Sequence, residues 1–330
     1  MKNVLLLSLL VAAPMLAAVD GTVINQTTGA PQSGAVVTLV KLGSGMETVG
    51  SATSDTAGKF SIAKDLVAGN PYLIQTLYKG VSYNKAVPPG SPSTGLMVEV
   101  FNATTKSADA KVAQHMVLFE PSGTDLTINE TVIFNNTGKT TVDDPVNGTF
   151  RFYLPPETKG QVKVQVTGPQ GMAISREAVK TKIPNVYTVN YPVKPGETRF
   201  DLAYGMPAAS PGTFEYKALH ESDSVRLVAP KGVTLTSDKL KDLGTEPRTQ
   251  ASIYQVLGND VQFQFTGSGS LRAPAEGGQQ PPPEDTGPPI EDRKPRIYGR
   301  LPWLLGLAAF ILILGLTLLY RADPQAKKGA

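Results

Sequence analysis

The segments Gln161-Val162-Lys163-Val164-Gln165-Val166, Arg199-Phe200-Asp201-Leu202-Ala203-Tyr204 and Val261-Gln262-Phe263-Gln264-Phe265 alternate apolar and polar residues with period two. Successive side chains of a strand point to opposite faces, so each segment can cover a core on one side and meet water on the other. Turn-forming groups recur between such runs: Asn136-Thr137-Gly138, Asp144-Pro145, Asn147-Gly148, Leu154-Pro155-Pro156, Lys194-Pro195-Gly196 and Pro211-Gly212. Glycine supplies positive φ, proline presets φ, and asparagine and aspartate bond their own backbone. Many short strands punctuated in this way predict an all-β fold built of sandwiches. The one helical candidate within this region is Ser237 to Leu243, where Ser237 or Asp238 would cap a turn or two.

Apolar segments lie at both ends. Leu301 to Tyr320 carries no charge, and as a helix rising about 1.5 Å per residue it matches the roughly 30 Å hydrocarbon core of a bilayer. Lys2 precedes the shorter run Val4 to Ala13, then Pro14, Ala17 and Ala18, the order of a secretory signal peptide. Export by residues 1–18 would leave one C-terminal transmembrane helix at 301–320, a cytoplasmic tail at 321–330, and everything between outside the cytosol. Arg293, Lys294, Arg296 and Arg300 on the outer flank oppose the positive-inside rule. The N-terminal signal is taken to dominate, because a long β-rich segment has no other route across. Residues 267–300, rich in proline and glycine and without apolar periodicity, read as a stalk.

The whole chain carries +3, yet Asp20 to Asp292 holds 23 Lys and Arg against 27 Asp and Glu, a net of −4. The basic surplus sits at the membrane flanks, and no basic run in the head suggests nucleic acid. Cysteine is absent, which excludes disulfides, thiolate metal sites and cysteine nucleophiles and favours a bacterial envelope over an animal cell surface. The roughly 280 residues between signal and span are enough for two cores.

The first of these has a distinctive text: GTVINQTTGAPQSGAVVTLV from Gly21, SDTAGKFSI from Ser54 and LVAGNPYLIQTLYKGVSY from Leu66. Thr28-Gly29-Ala30-Pro31 turns the chain between two strands, and Asp55-Thr56-Ala57-Gly58 reads as a hairpin turn with glycine at positive φ. The pattern G-x-V-x-(N/D)-x-x-T-G-x-P, (S/T)-D-x-x-G-x-F and L-x-x-G-x-x-Y resembles the carboxypeptidase regulatory-like domain, over about Val19 to Val87. That resemblance implies a transthyretin-like sandwich, here bounded at 19–95, which serves as a spacer, folding aid or carbohydrate-binding-like surface and has no catalytic residues of its own. Tyr72, Tyr78 and Tyr83 are the candidate ligand-binding residues, as platforms for pyranose rings, but their alternation suits the core at least as well, and core packing is the favoured reading.

Residues 96–266 read as a second, immunoglobulin-like sandwich, with eleven strand candidates from Leu96–Phe101 to Val261–Phe265 and room for a subdomain beside the stalk. The two histidines, His115 and His220, have no second histidine at ligand spacing, which favours structural roles. Asp143-Asp144 precedes Pro145 and suits a turn cap; no calcium-loop spacing, G-x-S-x-G elbow or phosphate-cradling glycine loop occurs. Lys41 is the local candidate for an intramolecular amide crosslink, with no further mark of such a site. The sequence thus predicts a non-catalytic, membrane-anchored scaffold or binding protein without cofactor, whose partner is an envelope protein or a glycan. The alternatives are a carbohydrate-binding surface module and a hydrolase whose site is assembled by folding alone.

Overall fold

The computed structural model describes residues 18–271, apart from 44, 170 and 223, together with residues 312, 313 and 317. The chain divides into two units, residues 1–272 and 273–330. In the second, Leu312, Ile313 and Thr317 are helical. Among the described residues no helix is long and apolar enough to cross a membrane. The expected signal up to residue 17, almost all of the expected stalk and nearly all of the expected span lie outside the described residues.

Eight strands build the first sandwich: β1 (Val19–Asn25), β2 (Ala30–Pro31), β3 (Val36–Leu42), β4 (Met46–Thr53), β5 (Lys59–Ile62), β6 (Tyr72–Tyr78), β7 (Val81–Val87) and β8 (Leu96–Val100). One sheet runs β2-β1-β5 with β8 parallel to β1, and the other runs β4-β3-β6-β7. Val19, Val23, Val37, Leu39, Phe60, Ile62 and Ile74 close the core between them. β8 belongs to this core through Val98 and Val100, so the first sandwich extends past the expected boundary at residue 95. Gly21 is required where β1 meets β8: a Cβ there would stand 2.0 Å from the Leu96 carbonyl oxygen. Gly58 adopts φ +72° as expected, and Asp55 Oδ1 accepts bonds from the amides of Ala57 and Lys59. The turn is nevertheless no hairpin. β4 pairs with β3 and β5 with β1, so it carries the chain from one sheet to the other.

The second sandwich contains β9 (Asn102–Thr104), β10 (Ala110–Ser122), β11 (Asp125–Asn136), β12 (Thr140–Val142), β13 (Phe150–Tyr153), β14 (Lys163–Thr167), β15 (Ile174–Arg176), β16 (Val179–Lys180), β17 (Val186–Val189), β18 (Gly196–Pro207), β19 (Gly212–Lys217), β20 (Val225–Ala229), β21 (Thr234–Thr236), β22 (Leu240–Thr245), β23 (Ser252–Val256) and β24 (Asp260–Thr266). An eight-stranded sheet, β15-β14-β18-β11-β10-β20-β23-β22, is faced by the three-stranded sheets β13-β17-β16 and β19-β24-β21. Phe119 is fully buried, with Phe214, Phe263 and Phe265 edge-on to it at 5.1–5.3 Å. Because β23 and β24 join the same core, the described residues 231–266 form no separate subdomain. The expected helix at Ser237–Leu243 is a turn leading into β22, which pairs with β23; tertiary pairing overrides the local capping signal. The chain also stays bonded to this sandwich beyond residue 266, since the Leu271 amide donates to Glu120 Oε1 and the Gly269 amide to the Pro121 carbonyl.

Candidate functional site

After β19 the chain leaves its sheet, exposing Leu219 and tucking His220 against the end of the core. The imidazole stacks on Phe150 at 5.4 Å and 12° and meets Phe134 edge-on at 5.2 Å. The Arg151 backbone N–H donates to His220 Nε2 at 3.0 Å, which places the ring proton on Nδ1. Burial first, then the charges of Arg151 and His115, push the His220 pKa down to about 4. At neutral pH the ring is therefore an uncharged, rigidly held group with one N–H donor.

His220 lies between two adjoining cavities, of about 650 Å³ and about 580 Å³, that share Ser107, Ala110 and Phe134. Lys111 and Glu221 line the first, and Lys106, Asp144 and Arg151 the second. Asp144 is occupied by its own turn, accepting from the amides of Val146 and Asn147 and from the Asn147 side chain, and the Asn147 bonds hold its carboxyl below the usual range. Asp143 moves the other way: burial, then the Asp144 charge, raises it. The cleft is thus lined by Lys106, Lys111 and Arg151, by Glu221 and by a neutral imidazole, an arrangement suited to holding a polar ligand. Among the described residues no three His, Asp or Glu side chains gather as a metal site.

The other histidine forms a buried cluster. His115 Nε2 lies 2.6 Å from Glu130 Oε1 and 2.7 Å from the Tyr216 hydroxyl, which donates to Glu130 at 3.0 Å. A bulge between Val112 and Gln114 makes this possible. Strict alternation from Val112 would turn His115 outward; one extra residue brings both Val112 and His115 inside, at 5% and 4% exposure. Glu130 follows the inward register of Leu126, Ile128, Val132 and Phe134 on β11. Burial, and then the nearby Glu130, pushes the Tyr216 hydroxyl well above its ordinary pKa.

Tyr72, Tyr78 and Tyr83, the candidate ligand-binding residues, are 2%, 9% and 4% exposed and pack in the core of the first sandwich. Their alternation reflects core packing. Their hydroxyls serve the backbone and the junction instead: Tyr72 accepts from the Val67 amide, Tyr78 donates to Asn102 Oδ1, and Tyr83 bonds the Phe101 carbonyl and the Thr141 hydroxyl.

That junction joins the two sandwiches. Asn25, 2% exposed, donates to Gln32, Asn102 and Tyr78, while its Oδ1 accepts the Thr27 amide. β9 follows β8 after a single residue and pairs in parallel with β12 of the second sandwich. Lys194 Nζ donates to the Ser82 carbonyl and stands 5.2 Å from the centre of the Tyr83 ring. Sequence reasoning placed Lys194 only in a turn, and the residues that meet it are more than a hundred positions away.

No family model matches the chain, and no curated protein matches it. Among solved structures it is similar to an M1 zinc metallopeptidase of Deinococcus radiodurans. A mutant of that enzyme bound to a Tyr-Ser-Ala substrate is 14% identical, with a TM-score of 0.28 over 50% of this chain and 44% of that one. The unmutated enzyme is 15% identical, with a TM-score of 0.25 over 50% and 43%. The chain spans less than half the length of these proteins, and likeness at this level carries no argument about its fold or activity.

Proposed function

We propose that this chain is a non-catalytic binding or scaffold protein of a bacterial envelope, its two β-sandwiches exported and tethered by one C-terminal span. In this reading the first sandwich is a transthyretin-like module of the carboxypeptidase regulatory-like kind and the second is immunoglobulin-like. The observation that carries the proposal is the junction: both sandwiches lie in one compact unit, joined by the β9–β12 pair and by buried hydrogen bonds at Asn25 and Tyr83. Such a head can present clefts in fixed relation to each other, as a scaffold requires.

The test combines topology with partnership. Protease added to intact spheroplasts should remove the head while the tail stays protected, and affinity capture of the full-length protein from native membranes should retain a stoichiometric envelope protein. A protected head with an accessible tail would overturn the topology. A head released from membranes alone, with no protein retained, would overturn the scaffold role.

A further inference from the structure

The groove at the junction contains an ammonium group with no salt-bridge partner among the described residues. Lys194 lies within it, and among the described residues no carboxylate reaches its Nζ; its hydrogen bond goes to the Ser82 carbonyl. The groove measures about 350 Å³ and is walled by Tyr83, Lys85, Met97 and Glu99 from the first sandwich and by Tyr191 and Lys194 from the second. Glu99, the one acid on this wall, accepts a bond from Gln26. The Arg176 guanidinium lies 5.7 Å from the Tyr191 ring centre and adds positive charge beside the groove, and Asp143, which does not line the groove, acts electrostatically on Tyr83. A half-buried cation facing other cations is poised to receive an anion.

The neighbouring backbone specifies what carries that anion. β7 is the edge strand of its sheet and is joined to β6 by the two-residue turn Lys79-Gly80, so Tyr78 and Val81 form the first hydrogen-bonded pair. Hydrogen-bonded and non-hydrogen-bonded pairs then alternate, which turns the amides and carbonyls of Ser82, Asn84 and Ala86 away from β6. The Lys194 bond to the Ser82 carbonyl agrees with that phase. Asn84 lines the groove. An open strand edge running to a cation matches an extended peptide that bears a carboxylate.

We propose that the junction groove binds an extended peptide segment, pairing its backbone with the β7 edge at Asn84 and Ala86 and its carboxylate with Lys194 Nζ. This stands on the geometry of the head alone and holds whether or not the chain is tethered to a membrane. Burial also pushes the Lys194 pKa down to about 8, so the free site holds its full charge only below that pH.

The test uses full-length protein in detergent micelles with three probes: N-acetyl-Thr-Val-Glu-Val-amide, its glutamine counterpart, and propionate. Titrations are followed by calorimetry and by the NMR signal of the Lys194 side chain. The glutamate peptide should bind saturably and shift that signal, and its affinity should fall about tenfold per pH unit above 8. The glutamine peptide and the Lys194→Met variant should each weaken binding at least about tenfold, with Lys194→Arg retaining it. Propionate binding as tightly as the peptide would overturn the strand-pairing half of the proposal. Equal binding of the two peptides, or no binding of any probe, would overturn the whole; both readouts use the unsubstituted protein, so they stand even if Lys194→Met loosens the junction.

Discussion

Removing Glu130 tests whether the His115–Glu130–Tyr216 cluster is a coupled unit or three independent packing residues. Oε1 of Glu130 receives both His115 at 2.6 Å and Tyr216 at 3.0 Å, and all three residues are 3–4% exposed. Glu130→Leu therefore removes the shared acceptor and leaves His115 and Tyr216 only the 2.7 Å bond between them. Each hydrogen bond to a charged group contributes about 1.5–3 kcal/mol, and breaking a buried pair costs about 3–5 kcal/mol. His115→Leu should cost a similar amount, because it leaves a buried carboxylate with Tyr216 as its remaining partner. The double variant leaves only the Tyr216 hydroxyl without a partner, a loss of about 1–3 kcal/mol. The two single costs should thus exceed the double by at least about 2 kcal/mol. Urea unfolding of the full-length protein in micelles, followed by far-ultraviolet circular dichroism, measures all three at unchanged slope. Costs that simply add, to within about 0.5 kcal/mol, would refute the coupled cluster.

The remaining predictions follow from single contacts. His220 is held at about 4 against 6.5 when free, so between these values the unfolded chain binds more protons; its contribution is complete above pH 6.5 and is lost as pH falls toward 4, by about 2–3 kcal/mol. His220→Phe should remove that part of the acid dependence in melting curves taken from pH 7 to pH 4. Gly21→Ala should cost about 3 kcal/mol or more, since neither the Leu96 carbonyl at 2.0 Å nor the Phe60 ring at 2.8 Å has room to withdraw; an unchanged melting temperature would contradict the β1–β8 register. At the junction, Thr141→Val should cost about 1 kcal/mol, because Tyr83 retains the Phe101 carbonyl. Tyr83→Phe should cost more in the same melts, by leaving the fully buried Thr141 hydroxyl without that partner.

The eleven strands expected between residues 96 and 266 all form, because alternation and turn residues are local signals that survive without knowledge of the partner strand. What the sequence hid depended on distant pairing. The short strands β9 and β12 have too few residues to show a period, and they exist because each supplies the other's hydrogen bonds. His115 was out of phase with its neighbours until the bulge after Val112 was known, and Glu130 reads as a surface residue unless its histidine is in view. The tyrosines carried a readable pattern with two meanings, and only burial separated them. Lys194 sits in a turn text that many loops share, and its environment comes from Ser82, Tyr83 and Lys85 on the other sandwich.

The parallel pairing of β9 with β12 also has a mechanical meaning. One residue separates β9 from the last strand of the first sandwich, so slack that would act as a swivel is stitched down within a few residues of the boundary. A pull on either sandwich must shear three adjacent residue pairs together before the joint can turn. Load applied to one half reaches the other as displacement, and whatever the head grips is held at a set angle.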